Sequence, residues 1–277
     1  MILEQKILSY KGKVVFEKII VGNFKRLPKF FQETEACFMF VEKGHFQFRT
    51  PEKLFQFRTG EGVLAKCGNY FIEEQAKIPQ EEGEEMKAIG AYFHPSIVKE
   101  LFDNDLSLST FTTNYDVTKV NIDGLMLHFI KSIEFLLDNP SISSDSMVMT
   151  KLKEFLLLLS KTENAPSIID FVASLYQPYV YDFKVIIKQN LYANLSLTEM
   201  ATLCGMSLSS FKRKFSNLYQ ESPAKYILRK KMEKAKALLP NKDTRISDVA
   251  YDCGFDTIST FNRSFKTYFG KKPSEFR

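Results

Sequence analysis

The chain has 277 residues, 44% hydrophobic and 26% charged, which suffices for two packed domains and argues against wholesale disorder. Its net charge of +5 is uneven. From Tyr176 onward 18 Lys/Arg face 9 Asp/Glu, a net of +9, whereas residues 1–175 carry a net of −4. Concentrated positive charge suits a polyanion, so the C-terminal part is the candidate for meeting phosphates; a solvated lysine-rich surface is the alternative. The longest apolar run, Phe155-Leu156-Leu157-Leu158-Leu159, falls far short of the ~18 residues of a membrane span, and Met1–Tyr10 lacks the apolar block of a secretory signal. Cys37, Cys67, Cys204 and Cys253 lie too far apart for a CxxC pair, and read as reduced, buried thiols of a cytoplasmic protein.

Residues 12–93 read as strands. Lys13–Val21 is β-branched and apolar, and Ala36–Val41 is a short apolar run. Two copies of Phe-Gln-Phe-Arg-Thr, at 46–50 and 55–59, flank the turn Thr50-Pro51-Glu52-Lys53 and predict a hairpin. Gly60-Glu61-Gly62, Cys67-Gly68-Asn69 and Gln80-Glu81-Glu82-Gly83 punctuate the later strands, which end with Met86–Phe93. Seven or so short strands so spaced predict a sandwich or small barrel. Any cavity in it is expected to be lined by phenylalanines, of which the chain has 26.

After His94 the period changes. Pro95 opens a predicted short helix, Ser96–Phe102. Apolar residues at 122, 125, 126, 129, 133, 136 and 137 predict a helix over Ile122–Leu137, and Met147–Leu159 predicts a second with a wide apolar face. These helices either pack on the barrel as core or pair with their copies in another subunit. His45, His94 and His128 do not cluster at metal-ligand spacing, and no G-x-S-x-G, Walker or G-x-G-x-x-G motif is present. No metal, cofactor or catalytic residue is therefore expected.

The C-terminal part writes one motif twice. Leu197-Thr-Glu-Met-Ala-Thr-Leu-Cys-Gly205 matches Ile246-Ser-Asp-Val-Ala-Tyr-Asp-Cys-Gly254 at an offset of 49. At an offset of 50 Phe211, Arg213, Phe215, Tyr219, Pro223 and Tyr226 then pair with Phe261, Arg263, Phe265, Phe269, Pro273 and Phe276. Each copy has the parts of a helix-turn-helix. Thr198 and Ser247 are suited to cap the first helix, and Ser207 and Asp256 the second. Ala201 and Ala250 permit close approach, and Gly205 and Gly254 supply the positive φ of a tight turn.

At 100° per residue, Leu208, Phe211, Phe215, Leu218 and Tyr219 share one apolar sector of the second helix, as do Ile258, Phe261, Phe265, Tyr268 and Phe269 in the repeat. Opposite lie Ser209 and Arg213, flanked by Ser210, Lys212 and Asn217; in the repeat Ser259 and Arg263 are flanked by Thr260, Asn262 and Lys266. Arginine can bond guanine bidentately, asparagine adenine, and hydroxyls either bases or phosphates. Lys212, Lys214, Lys266, Lys271 and Lys272 are expected on phosphate. Between the motifs a predicted helix from Pro223 to Leu239 carries Arg229, Lys230, Lys231 and Lys234 on its polar side. At ~1.5 Å per residue it is long enough, with its turns, to hold two recognition helices about one DNA turn apart.

The repeat resembles the DNA-binding domain of the AraC/XylS family of bacterial transcription regulators over about residues 180–277. The match is strongest in Ile246-Ser-Asp-Val-Ala-Tyr-Asp-Cys-Gly-Phe and in Phe261-Asn-Arg-Ser-Phe-Lys-Thr-Tyr-Phe-Gly-Lys-Lys-Pro-Ser-Glu-Phe-Arg. The resemblance implies a seven-helix domain with two helix-turn-helix units, binding to promoter DNA, and activation through contact with RNA polymerase. It places base contacts at Ser209, Ser210, Lys212 and Arg213, and at Thr257, Ser259, Asn262 and Arg263. Many members carry bulkier residues where the first unit here has serines. The N-terminal half resembles the β-barrel and helical-pair regulatory domains of the same family. Lys151-Leu-Lys-Glu-Phe-Leu-Leu-Leu-Leu is similar to the branch that includes type III secretion activators, in which a partner protein is an option beside a small ligand.

The expected fold is α+β. A regulatory and dimerisation domain over 1–175 holds a cupin-like barrel at 12–93 and helices at 95–160. An all-α domain over 176–277 holds helix-turn-helix units at 197–219 and 246–269. The expected function is sequence-specific regulation of transcription, probed against two other readings: a cupin-like enzyme, which requires a metal or nucleophile, and an architectural protein that binds DNA without base preference.

Overall fold

The computed structural model describes residues 2–22, 24, 26–28, 35–66, 68, 70–73, 85–102, 116–162, 168–176, 182–241 and 243–277. Two compact units are distinguished, Met1–Thr50 with Leu54–Val180, and Tyr181–Arg277 with Pro51–Lys53.

In the first unit the described residues form ten strands: β1 (Ile2–Tyr10), β2 (Lys13–Val21), β3 (Arg26–Pro28), β4 (Ala36–Lys43), β5 (His45–Arg49), β6 (Leu54–Arg58), β7 (Gly62–Ala65), β8 (Phe71–Glu73), β9 (Met86–Phe93) and β10 (Val117–Val120). Six make one sheet in the order β1-β2-β9-β4-β7-β10, and four make a second in the order β3-β8-β5-β6. The duplicated Phe-Gln-Phe-Arg segments form the predicted hairpin, with Phe46 opposite Phe57, Gln47 opposite Gln56 and Phe48 opposite Phe55. Alternation explains the register. Phe46, Phe48 and Phe57 are buried between the sheets with Val41, Val63 and Met86, while Gln47 and Gln56 turn outward.

Two strands outside 12–93 were not expected from the sequence. β1 carries a single fully buried residue, Leu8, among exposed and half-buried ones, so its hydrophobic alternation is weak. β10 has four residues, too few to show a period. Cys67 and the segment Gln80–Gly83 fall outside the described residues.

Four helices complete this unit: α1 (Pro95–Leu101), α2 (Gly124–Asp138), α3 (Asp145–Thr162) and α4 (Ile168–Leu175). Asp123 sets the start of α2 two residues later than the apolar stripe alone predicts, its carboxylate accepting from Met126 N at 2.8 Å. Phe129, Ile133 and Leu137 of α2 and Leu152, Phe155 and Leu159 of α3 are buried in one core with Phe16, Phe38 and Phe93 of the six-stranded sheet. The Phe155 ring stacks on Phe129 at 4.9 Å and meets Phe38 edge-on at 4.8 Å. Most of the stripe positions are thus core. Leu125, one of the positions that predicted α2, stays exposed, as do Phe135, Ile142 and Leu157.

The second unit contains α5 (Phe183–Asn190), α6 (Leu197–Leu203), α7 (Leu208–Tyr219), α8 (Pro223–Leu238), α9 (Ile246–Asp252), α10 (Ile258–Phe269) and a closing 3-10 turn, Pro273–Phe276. It has two small cores. Phe183, Ile187, Met200, Ala201, Phe211 and Phe215 make the first, with Tyr219, Tyr226 and Ile227 at its margin. Met232, Ala235, Leu239, Val249, Ala250, Cys253, Phe261 and Phe265 make the second, with Phe269 and Phe276 against it. One helix, α8, contributes to both: its first turns to the first core and its last turns to the second. The repeat explains this. Tyr226 packs on Phe215 and Tyr219 as Phe276 packs on Phe265 and Phe269, so α8 begins where the second copy has only its closing turn.

Candidate nucleic-acid interface

Each helix-turn-helix turns at a glycine in the left-handed region, Gly205 at φ 63° and Gly254 at φ 76°. Ala201 and Ala250 are buried beneath the turns, where the helices approach. The caps differ from those expected. In α6 the N-cap is Ser196, not Thr198. Its hydroxyl accepts from Glu199 N at 3.2 Å while the Glu199 carboxylate accepts from Ser196 N at 2.7 Å. This reciprocal box starts the helix at Leu197 and puts Thr198 inside it. In α9 the equivalent N-cap is Arg245, which has no side-chain acceptor, and Ser247 lies within the helix. Ser207 caps α7 as expected, accepting from Ser210 N. For α10 the cap is Thr257 rather than Asp256, its hydroxyl accepting from Thr260 N at 3.1 Å.

Capping occupies some of the candidate contact residues. The Thr257 hydroxyl also donates to the Thr260 hydroxyl at 2.9 Å. Ser207 donates to Ser210 at 3.0 Å and lies 3.1 Å from the hydroxyl of Ser209. Ser210 is half-buried; Ser209, Lys212, Arg213, Thr257, Ser259, Asn262, Arg263 and Lys266 are exposed. Among the described residues neither Arg213 nor Arg263 has a hydrogen bond or ion pair.

The opposite sides of α7 and α10 hold the cores. Phe211, Phe215, Phe261 and Phe265 are fully buried. Of the other residues assigned to the apolar sectors, Leu208, Tyr219 and Phe269 are half-buried, whereas Leu218, Ile258 and Tyr268 are 41%, 38% and 44% exposed. A surface groove of about 460 Å³ runs along α7, lined by Met206, Ser210, Arg213, Lys214, Asn217 and Leu218. Lys214 leans over the Phe183 ring at 4.8 Å, so part of its charge is used internally.

The basic residues of α8 are engaged within the molecule. Arg229 donates to Glu221 and Glu233, and Lys230 to Glu233. Lys231 Nζ donates to the Gly254 carbonyl at 2.7 Å and Lys234 Nζ to the Asp252 carbonyl at 2.6 Å. Periodicity could not reveal this, because a lysine bonded to a distant carbonyl has the same periodic position as a solvated one.

Other chemistry-bearing residues are structural. His94 precedes α1, with Nε2 at 2.6 Å from the Val14 carbonyl and Nδ1 at 2.7 Å from Glu35. His128 Nδ1 lies 2.6 Å from the Gly124 carbonyl one turn back. Burial pushes the thiols of Cys204 and Cys253 up, to about 12 and about 11, so neither is poised as a thiolate. Cys253 and Cys37 are buried, but Cys204 is only half-buried, unlike the reading of four buried thiols. Among the described residues no cluster of three His, Cys, Asp or Glu can hold a metal. None of their helices is long and apolar enough to cross a membrane. Between the sheets a cavity of about 40 Å³ is lined by Glu17, Ile19, Cys37, Met39, Met86 and Tyr92, with Phe38 as its one phenylalanine among the described residues, where a phenylalanine lining was expected. Tyr92 donates to Glu17 there, and burial, then the Glu17 charge, push its phenol well above the usual value.

Comparison with known proteins agrees with both halves. Residues 200–277 match a family described as a helix-turn-helix domain, and residues 36–171 match one described as the ExsA N-terminal regulatory domain. The chain is 28% identical over 127 residues to the HTH-type transcriptional regulator ExsA of Pseudomonas aeruginosa, covering 46% of each chain. It is 26% identical over 157 residues to the virulence regulon transcriptional activator VirF of Yersinia enterocolitica, covering 57% of this chain and 58% of that one. These alignments span about half the length of the relatives. Among solved structures, ToxT of Vibrio cholerae with a bound unsaturated fatty acid is 14% identical, with a TM-score of 0.37 over 95% of this chain and 94% of that one. The regulatory-domain match and the helix-turn-helix match together cover most of the chain, and both are matches to the parts of AraC-family transcriptional regulators.

Proposed function

We propose that this regulator reads promoter DNA with two helices, α7 and α10, each entering a major-groove segment. The observation that carries this is the pair of repeat-equivalent arginines. Arg213 and Arg263 stand exposed without a partner among the described residues, while Arg229 of the same unit is held by two carboxylates. In this reading Arg213 and Arg263 contact base edges, aided by Ser209, Ser259 and Asn262. Lys212 and Lys266 meet phosphate. Ser210 and Thr257, whose hydroxyls serve the caps, act through their position at the helix tips.

Arg263→Ala is expected to weaken specific binding by ~1–3 kcal/mol and to relax selectivity at one base pair. Gel-shift titration of full-length protein on an enriched site and on random duplexes checks this. Equal loss on both reduces Arg263 to a phosphate contact. If competition with random DNA abolishes binding to the enriched site at every salt concentration, the architectural reading replaces this one.

The regulator is proposed to be a cytoplasmic activator that contacts RNA polymerase, in keeping with the printed description of VirF as an activator. The exposed apolar residues Leu125, Phe135, Ile142 and Leu157 on α2, α3 and the turn between them suit a homodimer contact.

A further inference from the structure

The far end of α8 meets the second helix-turn-helix through two ammonium groups. Lys234 Nζ bonds the carbonyl of Asp252, the last residue of α9, and Lys231 Nζ bonds that of Gly254 in the turn. Cations at these carbonyls complement the negative end of the α9 dipole. Lys234 Nζ also lies 4.0 Å from the centre of the Tyr192 ring, in the turn that follows α5. The backbone closes the same junction. A Cβ at Gly254 would come within 2.5 Å of the Tyr192 carbonyl oxygen, so only glycine lets the two turns touch. α5 itself belongs to the first core, through Phe183 against Phe211 and Phe215. Three segments therefore converge: the turn after α5, tied to the first reader; α8, shared by both; and the turn of the second reader.

Lys231 is held here at a cost. It is half-buried, and burial pulls its ammonium below the usual value against the opposing pull of Asp256. A lysine that served only to attract DNA would gain by pointing outward.

We infer that Lys231 and Lys234 are positioning residues which, with Tyr192 and Gly254, fix the angle between the two recognition helices and so the spacing of DNA segments the protein accepts. The inference rests on the two-helix reading proposed above. One inserted base pair turns the second segment by about 34° and shifts it by about 3.4 Å, so a locked junction penalises it and a loosened one does not.

The test uses full-length protein and a duplex enriched from random DNA, with three derivatives: one base pair inserted between the protected segments, one removed, and one segment randomised. Wild type is expected to lose roughly tenfold or more on insertion or removal, the size of a mismatched base pair. The double variant Lys231→Met, Lys234→Met, which keeps the stems, is expected to lose less than about threefold on these duplexes; the ratio cancels any general effect of lost charge. Lys231→Arg with Lys234→Arg restores the penalty, because guanidinium still donates to the carbonyls. If the double variant does not fold by thermal melting, Lys234→Met alone is measured and is expected to reduce the penalty in part. An unchanged penalty in a folded variant overturns the inference and leaves the two-helix reading intact. Wild-type binding that ignores randomisation of one segment overturns both.

Discussion

Ser196 and Arg245 occupy the same place in the two copies, with near-identical backbone angles, yet only the serine can accept from its helix. Ser196→Ala is expected to lower stability by ~1 kcal/mol. Arg245→Ser is expected to raise the thermal denaturation midpoint by supplying the missing cap, with Asp248 already at the third helical position to complete the box. Residue chemistry of this kind was only partly legible. Thr198 and Ser247 are good cap residues by type, but the helices begin earlier, where Glu199 can reach back to Ser196. Likewise Thr257 displaced Asp256 because its hydroxyl meets Thr260 N. Composition names residues able to cap; the geometry of the entering chain selects among them.

Pairing of elements in the first unit depends on charge as well as on phenylalanine. Lys18 of β2 is nearly buried and lies 2.7 Å from Glu134 and 3.0 Å from Asp138, both on α2. Burial alone lowers the lysine, but its bonds to Glu134 and Asp138 raise it overall. Asp138 is held below its usual value by Lys6 and then Lys18. Glu134 is raised by burial yet ends lower, through Lys18 and Lys87. Because the folded carboxyls bind protons less readily than the unfolded ones, their contribution is present above the ordinary glutamate value of 4.5 and lost as pH falls below it through the folded values. The urea midpoint of wild type is therefore expected to fall as pH drops below about 4.5, and that of Lys18→Met to fall less steeply, starting from a lower value. Elements were more legible than their ties. The duplicated Phe-Gln-Phe-Arg strands and the stripes of α2 and α3 announced themselves by period. Lys18 bonding a helix 116 residues away leaves no local trace. α4 and α5, each of eight residues, are too short for a stripe to stand out from chance.

Across the whole molecule, the uneven charge is less available than its sum suggests. Of the excess positive charge in the C-terminal part, Arg229 and Lys230 are paired with carboxylates, and Lys231 and Lys234 face carbonyls. Lys212 is exposed on the candidate reading side. Lys212→Met is expected to reduce the slope of log affinity against log salt by about one, whereas Lys230→Met leaves it nearly unchanged. Binding titrations over a series of salt concentrations separate them. The +9 found in the sequence falls on the part that matches a helix-turn-helix domain, but could not show which cations remain for solvent.

The sharing of α8 has a consequence for how such a protein changes over time. Tyr226 and Ile227 seal one bundle, Met232, Ala235 and Leu239 the other, so a cut along the rod anywhere but between Ile227 and Met232 takes core residues from one of them. Although they repeat one motif, the halves are not interchangeable cassettes. A graft that swaps one reader for a foreign one must import its share of the rod too, since a join placed after Leu239 leaves the second bundle without Met232, Ala235 and Leu239.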